Sequence, residues 1–264
     1  MTRLARGFFE GWERSALIAL LMALLLLIGM LLAAVFAPSE WRTITLISAG
    51  GLLIIAQVIF MWGSRGLVST FTQAQRAYQD GDFETTCRLL EDLRNRGKAD
   101  ADALTLLGNA YRQQGLLDES EVVLREALAM RPRHYFPLYG FGRTLLAKGL
   151  YDEAGEAIEK SLHFGAPPVV QCDLGEIYYR RNLPDKASLL LKMIRPQLNE
   201  PHRTLMADFL LFQMGVGESP ALELVEAGLP YWQASSERFR HTPYGLALSE
   251  DVRWMLSLKK EFKP

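Results

Sequence analysis

Four histidines, two cysteines and two repeated acidic pairs are the side chains of this 264-residue sequence whose types could carry proton-transfer, metal or thiol chemistry. His134, His163, His202 and His241 stand far apart, outside the paired spacing that puts two imidazoles on one helix face around a metal. Most fall near expected helix ends or loops, where a solvated or capping role is ordinary. Cys87 and Cys172 are isolated, and only Arg88, next to Cys87, is a basic neighbour suited to stabilising a thiolate. They read as buried thiols of a reducing compartment, not as a disulfide framework. Asp118-Glu119 and Asp152-Glu153 recur 34 residues apart at the starts of expected helices, where carboxylates meet the positive end of the helix dipole. That recurrence gives them a structural role. No glycine-rich phosphate loop or nucleophile elbow is present. The expectation is a chain that is not an enzyme, takes no cofactor and holds no metal.

With 29 Lys and Arg against 30 Asp and Glu, the formal charge of −1 weighs against a protein that neutralises nucleic-acid phosphates. An apolar content of 49% excludes a disordered tail. What remains is a surface for binding, and its presentation depends on how the chain repeats itself.

A repeat of about 34 residues fills the chain beyond Arg65. Its clearest copy runs from Ala101 to Pro132, and the next from Tyr135 to Ala166, with Gly108 mapping to Gly142, Gly115 to Gly149 and Asp118 to Asp152. A third shift, by 33 residues, places Leu174, Gly175 and Tyr178 where Leu107, Gly108 and Tyr111 stand. Upstream, the segment from Phe71 puts Gly81 opposite Gly115 and Ala74 opposite Gly108. Each copy holds two amphipathic helices, such as Ala101 to Gln114 and Leu117 to Met130, broken by a glycine suited to a positive φ. Gly108 and Gly142 lie within helices, where glycine costs about 1 kcal/mol relative to alanine. Close packing must offset that cost, with Ala127 as the complementary small surface. Neither helix buries its apolar stripe alone, so the copies must stack.

Leu104, Leu107, Gly108, Tyr111, Gly115, Ser120, Leu124, Ala127 and Pro132 resemble the pattern of the tetratricopeptide repeat (TPR). The resemblance covers about Leu67 to Asn199 and departs from the pattern at Gln73 and Ala74 in the first copy and at Asn182 and Ile194 in the fourth. It implies an all-α fold in which residues 67–199 form a right-handed α-solenoid of four TPR-like helix pairs. It also implies a concave groove lined by the first helix of each pair. On this sequence the lining residues are Asp102, Thr105, Asn109, Arg112 and Gln113, then Phe136, Tyr139 and Arg143, then Cys172, Glu176, Tyr179 and Arg180, with Phe71, Gln75 and Tyr78 extending the row. The partner-binding set is Asn109, Arg112, Gln113, Tyr139, Arg143, Tyr179 and Arg180. Asn109 and Arg143 are expected to face one extended ligand, the amide on its backbone and the guanidinium on its carboxylate. The alternative is a solvated face with Arg143 paired to an acid such as Glu176. Because Glu176 and Asp102 share the groove with its bases, a C-terminal chaperone tail is a poorer fit than a helix or extended segment of a membrane partner.

Residues 200–264 are a degenerate extension. Helices are expected at His202 to Met214 and Pro220 to Gln233, and a loop from Ala234 to Leu248. A final helix is N-capped by Ser249, with Lys259 and Lys260 in its last turn, an apolar face of Val252, Met255, Leu258 and Phe262, and the task of covering the open end of the stack.

Ahead of the repeats, 25 uncharged positions separate Arg14 from Glu40 and 22 separate Arg42 from Arg65. Residues 15–64 therefore read as a two-helix transmembrane hairpin, with spans at about 16–37 and 43–62 joined by Ala37 to Arg42. A cleaved signal peptide fits less well, because its apolar region is only about 7–15 residues long. Gly29 and Ala33, four apart, offer a close helix approach. Arg3, Arg6 and Arg14 precede the first span and Arg65 and Arg76 follow the second, against Arg42 alone between them. The positive-inside rule then puts the segment 1–14, both termini and the repeats in the cytoplasm of a multi-pass, inner-membrane-type protein, with Trp12 and Trp62 at the near interface and Trp41 at the far one. The expected partners are membrane lipid and a membrane-associated protein or peptide. The expected function is that of an adaptor, scaffold or assembly factor, with a permanent accessory subunit of a larger membrane complex as the alternative.

Overall fold

The computed structural model describes residues 14–36, 38–64 and 69–261, in thirteen α-helices and one 3-10 turn, with no strand among the described residues. The expectations resting on Arg3, Arg6, Trp12, Arg65 and Phe262 lie outside them. The chain divides into two compact units, 1–72 and 73–264.

In the first unit α1 (Arg14–Phe36) and α2 (Ser39–Ser64) pack against each other. The expected connector is shorter than Ala37 to Arg42, because Pro38 starts α2 early and its carbonyl accepts from the N–H groups of Trp41 and Arg42 at 3.0 and 3.2 Å. The packed face is built of Ala23 and Ala34 on α1 and Ala49 and Ala56 on α2, all buried. Their spacings of eleven and seven residues bring each pair to one side of its helix. Gly29 and Ala33 are not on that face; both are exposed, and a Cβ on Gly29 would meet nothing. The large side chains point away, Leu25 at 65% and Ile47 at 70% exposure. Both helices are long and apolar enough to cross a membrane.

From α3 (Thr70–Gln79), which enters the second unit at Gln73, successive helices pair in register with the repeat: α3 with α4 (Phe83–Asn95) through the Thr86 hydroxyl on the Ala74 carbonyl, α5 (Ala101–Gln113) with α6 (Leu117–Met130), α7 (Tyr135–Lys148) with α8 (Tyr151–His163), and α9 (Val170–Arg180) with α10 (Pro184–Ile194). The intrahelical glycines have a steric cause. A Cβ on Gly108 would lie 2.5 Å from Cγ of Leu124, one on Gly142 2.7 Å from Ile158, and one on Gly175 2.6 Å from Leu191. The complement to Gly108 is thus the branched Leu124, not the expected Ala127. At the departure from the pattern, Asn182 adopts φ 57° in the place that Gly115 and Gly149 fill at 80° and 81°. Asparagine tolerates this left-handed region better than other non-glycine residues.

The last three helices are α11 (Pro201–Gln213), α12 (Leu222–Arg238) and α13 (Pro243–Glu261). The expected loop from Ala234 to Leu248 is mostly helix: α12 continues to Arg238, and a short turn leads straight into α13. Pro243 opens α13, a position where its missing N–H costs nothing. Thr242 caps it, its Oγ1 accepting from the Gly245 N–H at 3.0 Å. Gly245 is demanded by the tight turn, since a Cβ there would come within 1.8 Å of the Phe239 carbonyl oxygen. Ser249 is therefore inside the helix and not its cap; its hydroxyl donates to the Gly245 carbonyl at 2.8 Å.

Candidate functional site: the inner row and its cover

The first helices of consecutive pairs, α5, α7, α9 and α11, lie side by side as one row, because each glycine notch draws its partner helix to the opposite side. The C-terminal helices lie on this row instead of across the end of the stack. A Cβ on Gly115 would meet the Arg238 carbonyl, and one on Gly149 would meet the Pro243 ring. The indole N–H of Trp232 donates to the His202 carbonyl at 2.7 Å, and Trp254 packs edge-on against Phe212. Helices α12 and α13 thus form a cover over the face expected to bind a partner.

All seven expected groove residues fall on this row, and none is exposed. Tyr139 and Arg143 belong to a network that crosses three helices. Arg143 Nη1 donates to Asp173 Oδ1 at 2.6 Å, Arg203 Nη1 to Oδ2 at 2.9 Å, and the Tyr139 hydroxyl to Oδ2 at 2.9 Å. Burial alone would raise the pKa of Asp173, but the two guanidinium groups outweigh it and hold the carboxyl at about 2. Arg143 accordingly pairs with Asp173 and not with Glu176. Glu176 lies under Arg180, 3.3 Å away, and Arg180 reaches across to Asp251 of α13 in a close ion pair. Tyr244 is buried beside them, with the Arg180 guanidinium 5.8 Å from its ring centre. Burial pushes the carboxyls of both Glu176 and Asp251 upward, with Arg180 pulling the other way. Tyr179 lies half-buried with the Arg180 guanidinium 5.7 Å from its ring centre.

Asn109 and Arg143 take different partners. The Asn109 amide oxygen accepts from Arg112 Nη2 at 3.2 Å, within α5 itself. Gln113 accepts from Arg238 Nη1 of the cover at 2.7 Å. The wider set divides similarly. Thr105 is buried with its hydroxyl on the Ala101 carbonyl, Asp102 pairs with Arg131, Cys172 is buried, Phe136 is half-buried, and Gln75 is exposed.

The residues of this site that lie outside the expected groove set are Asp173, Arg203, Tyr231, Arg238, Tyr244 and Asp251, of which Asp251 is expected from the sequence only as a first-turn acid of the final helix. A signal for the first two exists. Arg143, Asp173 and Arg203 are spaced by 30, one helical turn less than the repeat, which sets each against the preceding turn of the neighbouring first helix. No periodic signal marks the other four, because the cover lies outside the repeat register.

The remaining chemistry is quiet. Burial pushes the Cys87 thiol up to about 11, with Glu91 adding to it, and raises Cys172 far above its ordinary value. Both are poor thiolates at neutral pH. His202 stacks on Tyr231 at 4.0 Å between ring centres, and burial lowers its pKa, aided by Arg203. No group of three potential metal ligands occurs among the described residues. Asp118 and Glu119 open α6 as expected, and Asp118 also pairs with Lys148 of α7 at 2.6 Å. An open groove of about 540 Å³ between α6, α7 and α8 is lined by Leu138 and Phe141 together with the charged Arg125 and Glu153.

Residues 101–134 match the family model described as the tetratricopeptide repeat. Among solved structures, a thermophilic TPR protein from Thermus thermophilus, TTC0263, superposes with a TM-score of 0.51 at 17% identity, covering 71% of this chain and 97% of its own. PilF of Pseudomonas aeruginosa does so with a TM-score of 0.51 at 17% identity, covering 74% and 90%. At that identity the likeness concerns the fold. No curated protein sequence matches the chain.

Proposed function

We propose that this tetratricopeptide-repeat protein is a non-enzymatic, membrane-anchored adaptor. In this reading α1 and α2 cross the bilayer as a hairpin, both termini and the repeat unit are cytoplasmic, and the repeat unit engages a membrane-associated protein or peptide as a scaffold or assembly factor. The observation that carries it is the outward apolar face of α1 and α2 next to a repeat fold of the protein-interaction type. Leaving such a face in water is opposed by about 25 cal/mol per Å², and lipid removes that opposition while the helices satisfy their own backbone groups. The arginines flanking the hairpin set its orientation.

Asn109, Arg112, Gln113, Tyr139, Arg143, Tyr179 and Arg180 are the proposed partner-binding row. In the covered arrangement α12 and α13 occupy it, so a partner reaches it by displacing them. The cover is a template for that partner: a helix presenting aromatic rings and a carboxylate, as Tyr244 and Asp251 do. A second reading, a permanent accessory subunit, is favoured by the same covering, since a row already filled needs no exchangeable ligand. Purification in mild detergent with fixed stoichiometry would support it.

The test is photo-crosslinking in intact membranes from Gln113 or Tyr179, in the native chain and in Asp251→Ala. Adducts to one membrane-associated protein should increase in the variant. No adduct from either position in either background would move binding off this row. Single-cysteine labelling tests orientation: Trp41→Cys should react from outside and Glu218→Cys only after permeabilisation, and the reverse pattern would overturn the topology.

A further inference from the structure

Between the row and α12 lies a narrow cavity of about 10 Å³, lined by Arg112 and Arg143 on one side and by Tyr231, Ser235 and Arg238 on the other. That volume holds one water-sized species. It has no room for a tetrahedral oxyanion or an organic acid.

The charge around it does not balance. Three guanidinium groups, on Arg112, Arg143 and Arg238, line it; Arg143 pairs with Asp173, which Arg203 also contacts while pairing with Glu200, and among the described residues no acidic side chain pairs with Arg112 or Arg238. Arg112 is only 7% exposed, and its Nε has no hydrogen-bond partner. Its one hydrogen bond goes to the Asn109 amide, and that of Arg238 goes to the Gln113 amide. An amide offers a dipole but no countercharge, and buried charges are ordinarily paired. The Tyr231 hydroxyl reports the surplus. Burial should raise its pKa, yet Arg143 and Arg112 draw it below the ordinary value.

We propose that this cavity binds one monovalent anion of chloride size, which supplies the missing charge and ties the cover to the row. The anion accepts from the Arg112 Nε–H and bridges α5 and α7 to α12. The site does not depend on membrane insertion, and a partner that displaced α12 would open it.

The test uses the full-length chain in non-ionic detergent. Thermal melting in sodium chloride or bromide should lie about 3 °C or more above that in sodium gluconate at equal ionic strength, with slower amide exchange over residues 222–258. Sodium sulfate should not substitute. Arg112→Gln and Arg238→Gln should each abolish the halide dependence, and the half-buried Arg238 provides the deciding variant if Arg112→Gln fails to fold. Equal melting in chloride and gluconate would mean that the cavity holds only water, which overturns the proposal. So would a halide effect that survives in Arg238→Gln. Tyrosinate absorbance near neutral pH in halide-free buffer, lost in Tyr231→Phe, would assign the countercharge to the phenolate and also overturn it.

Discussion

The regular repeats and the C-terminal cover share one apolar core, with Leu145, Leu146 and Phe209 buried in the same cluster as Trp232, Leu248 and Met255, but differ in the contacts that set their register. Within the repeats the same apolar notch recurs: Gly108 against Leu124, Gly142 against Ile158, Gly175 against Leu191. Each joins helices adjacent in sequence, so the stack grows from local contacts. The cover touches the row through long-range polar groups, Arg238 on Gln113 and Asp251 on Arg180, with aromatic rings around them. The lesson is that a repeat builds its scaffold from periodic apolar packing, whereas what lies on the scaffold combines non-periodic apolar packing with polar pairs whose partners are far away in the chain. Such charge pairs select a position more than they add stability.

This contrast can be broken at three points. The largest effect belongs to Asp173, which joins α7, α9 and α11. Asp173→Ala strips Arg143 and Arg203 of their carboxylate and should cost about 3–5 kcal/mol, read by denaturant unfolding of the full chain in detergent. The same carboxyl sets an acid limit. Its folded pKa, about 2, lies below the unfolded value, so its contribution is complete above about pH 4 and is lost as pH falls toward 2. Melting temperature should therefore fall through that window, and a flat profile would remove Asp173 from the network. Next is Asp251→Asn, which loosens the tie between α13 and α9. Amide exchange over residues 243–258 should quicken about tenfold, as expected for losing one charge-assisted hydrogen bond, while residues 101–130 stay unchanged. Equal acceleration in both segments would mean that cover and repeats open together. The smallest effect is at Asn182, the left-handed residue at the fourth turn. Asn182→Ala should cost about 1–2 kcal/mol, and Asn182→Gly should stay within about 0.5 kcal/mol of the native chain. Identical behaviour of the two would show that this turn carries no strain.

How much could be read in advance differs along the same line. The helix pairs from Ala101 to His163 and their turn glycines follow from residue spacing, and the expected membership of the row follows from the tetratricopeptide resemblance. Gly108 and Gly142 announce close packing but not its partner, because Leu124 and Ala127 sit one turn apart on the same face and only the three-dimensional approach distinguishes them. Pro243 and Gly245 looked like loop residues, since both disfavour helix interiors; at the first turn of α13 the same properties suit a start and a tight entry. Asn109 and Arg143 occupy equivalent positions, yet side-chain length and the proximity of Arg112 and Asp173 send them to different partners.

By itself the sequence determined the all-α class, the repeat period and the two long apolar helices. These depend on patterns of about 3.6 and 34 residues, which a chain records in order. Only the tertiary structure decided that α12 and α13 fold back over that row, that Asp173 joins three helices, and that Arg112 lies buried without a countercharge. Those outcomes depend on distances between residues 30 to 125 positions apart, and no local pattern records which distant charges meet once the stack has closed.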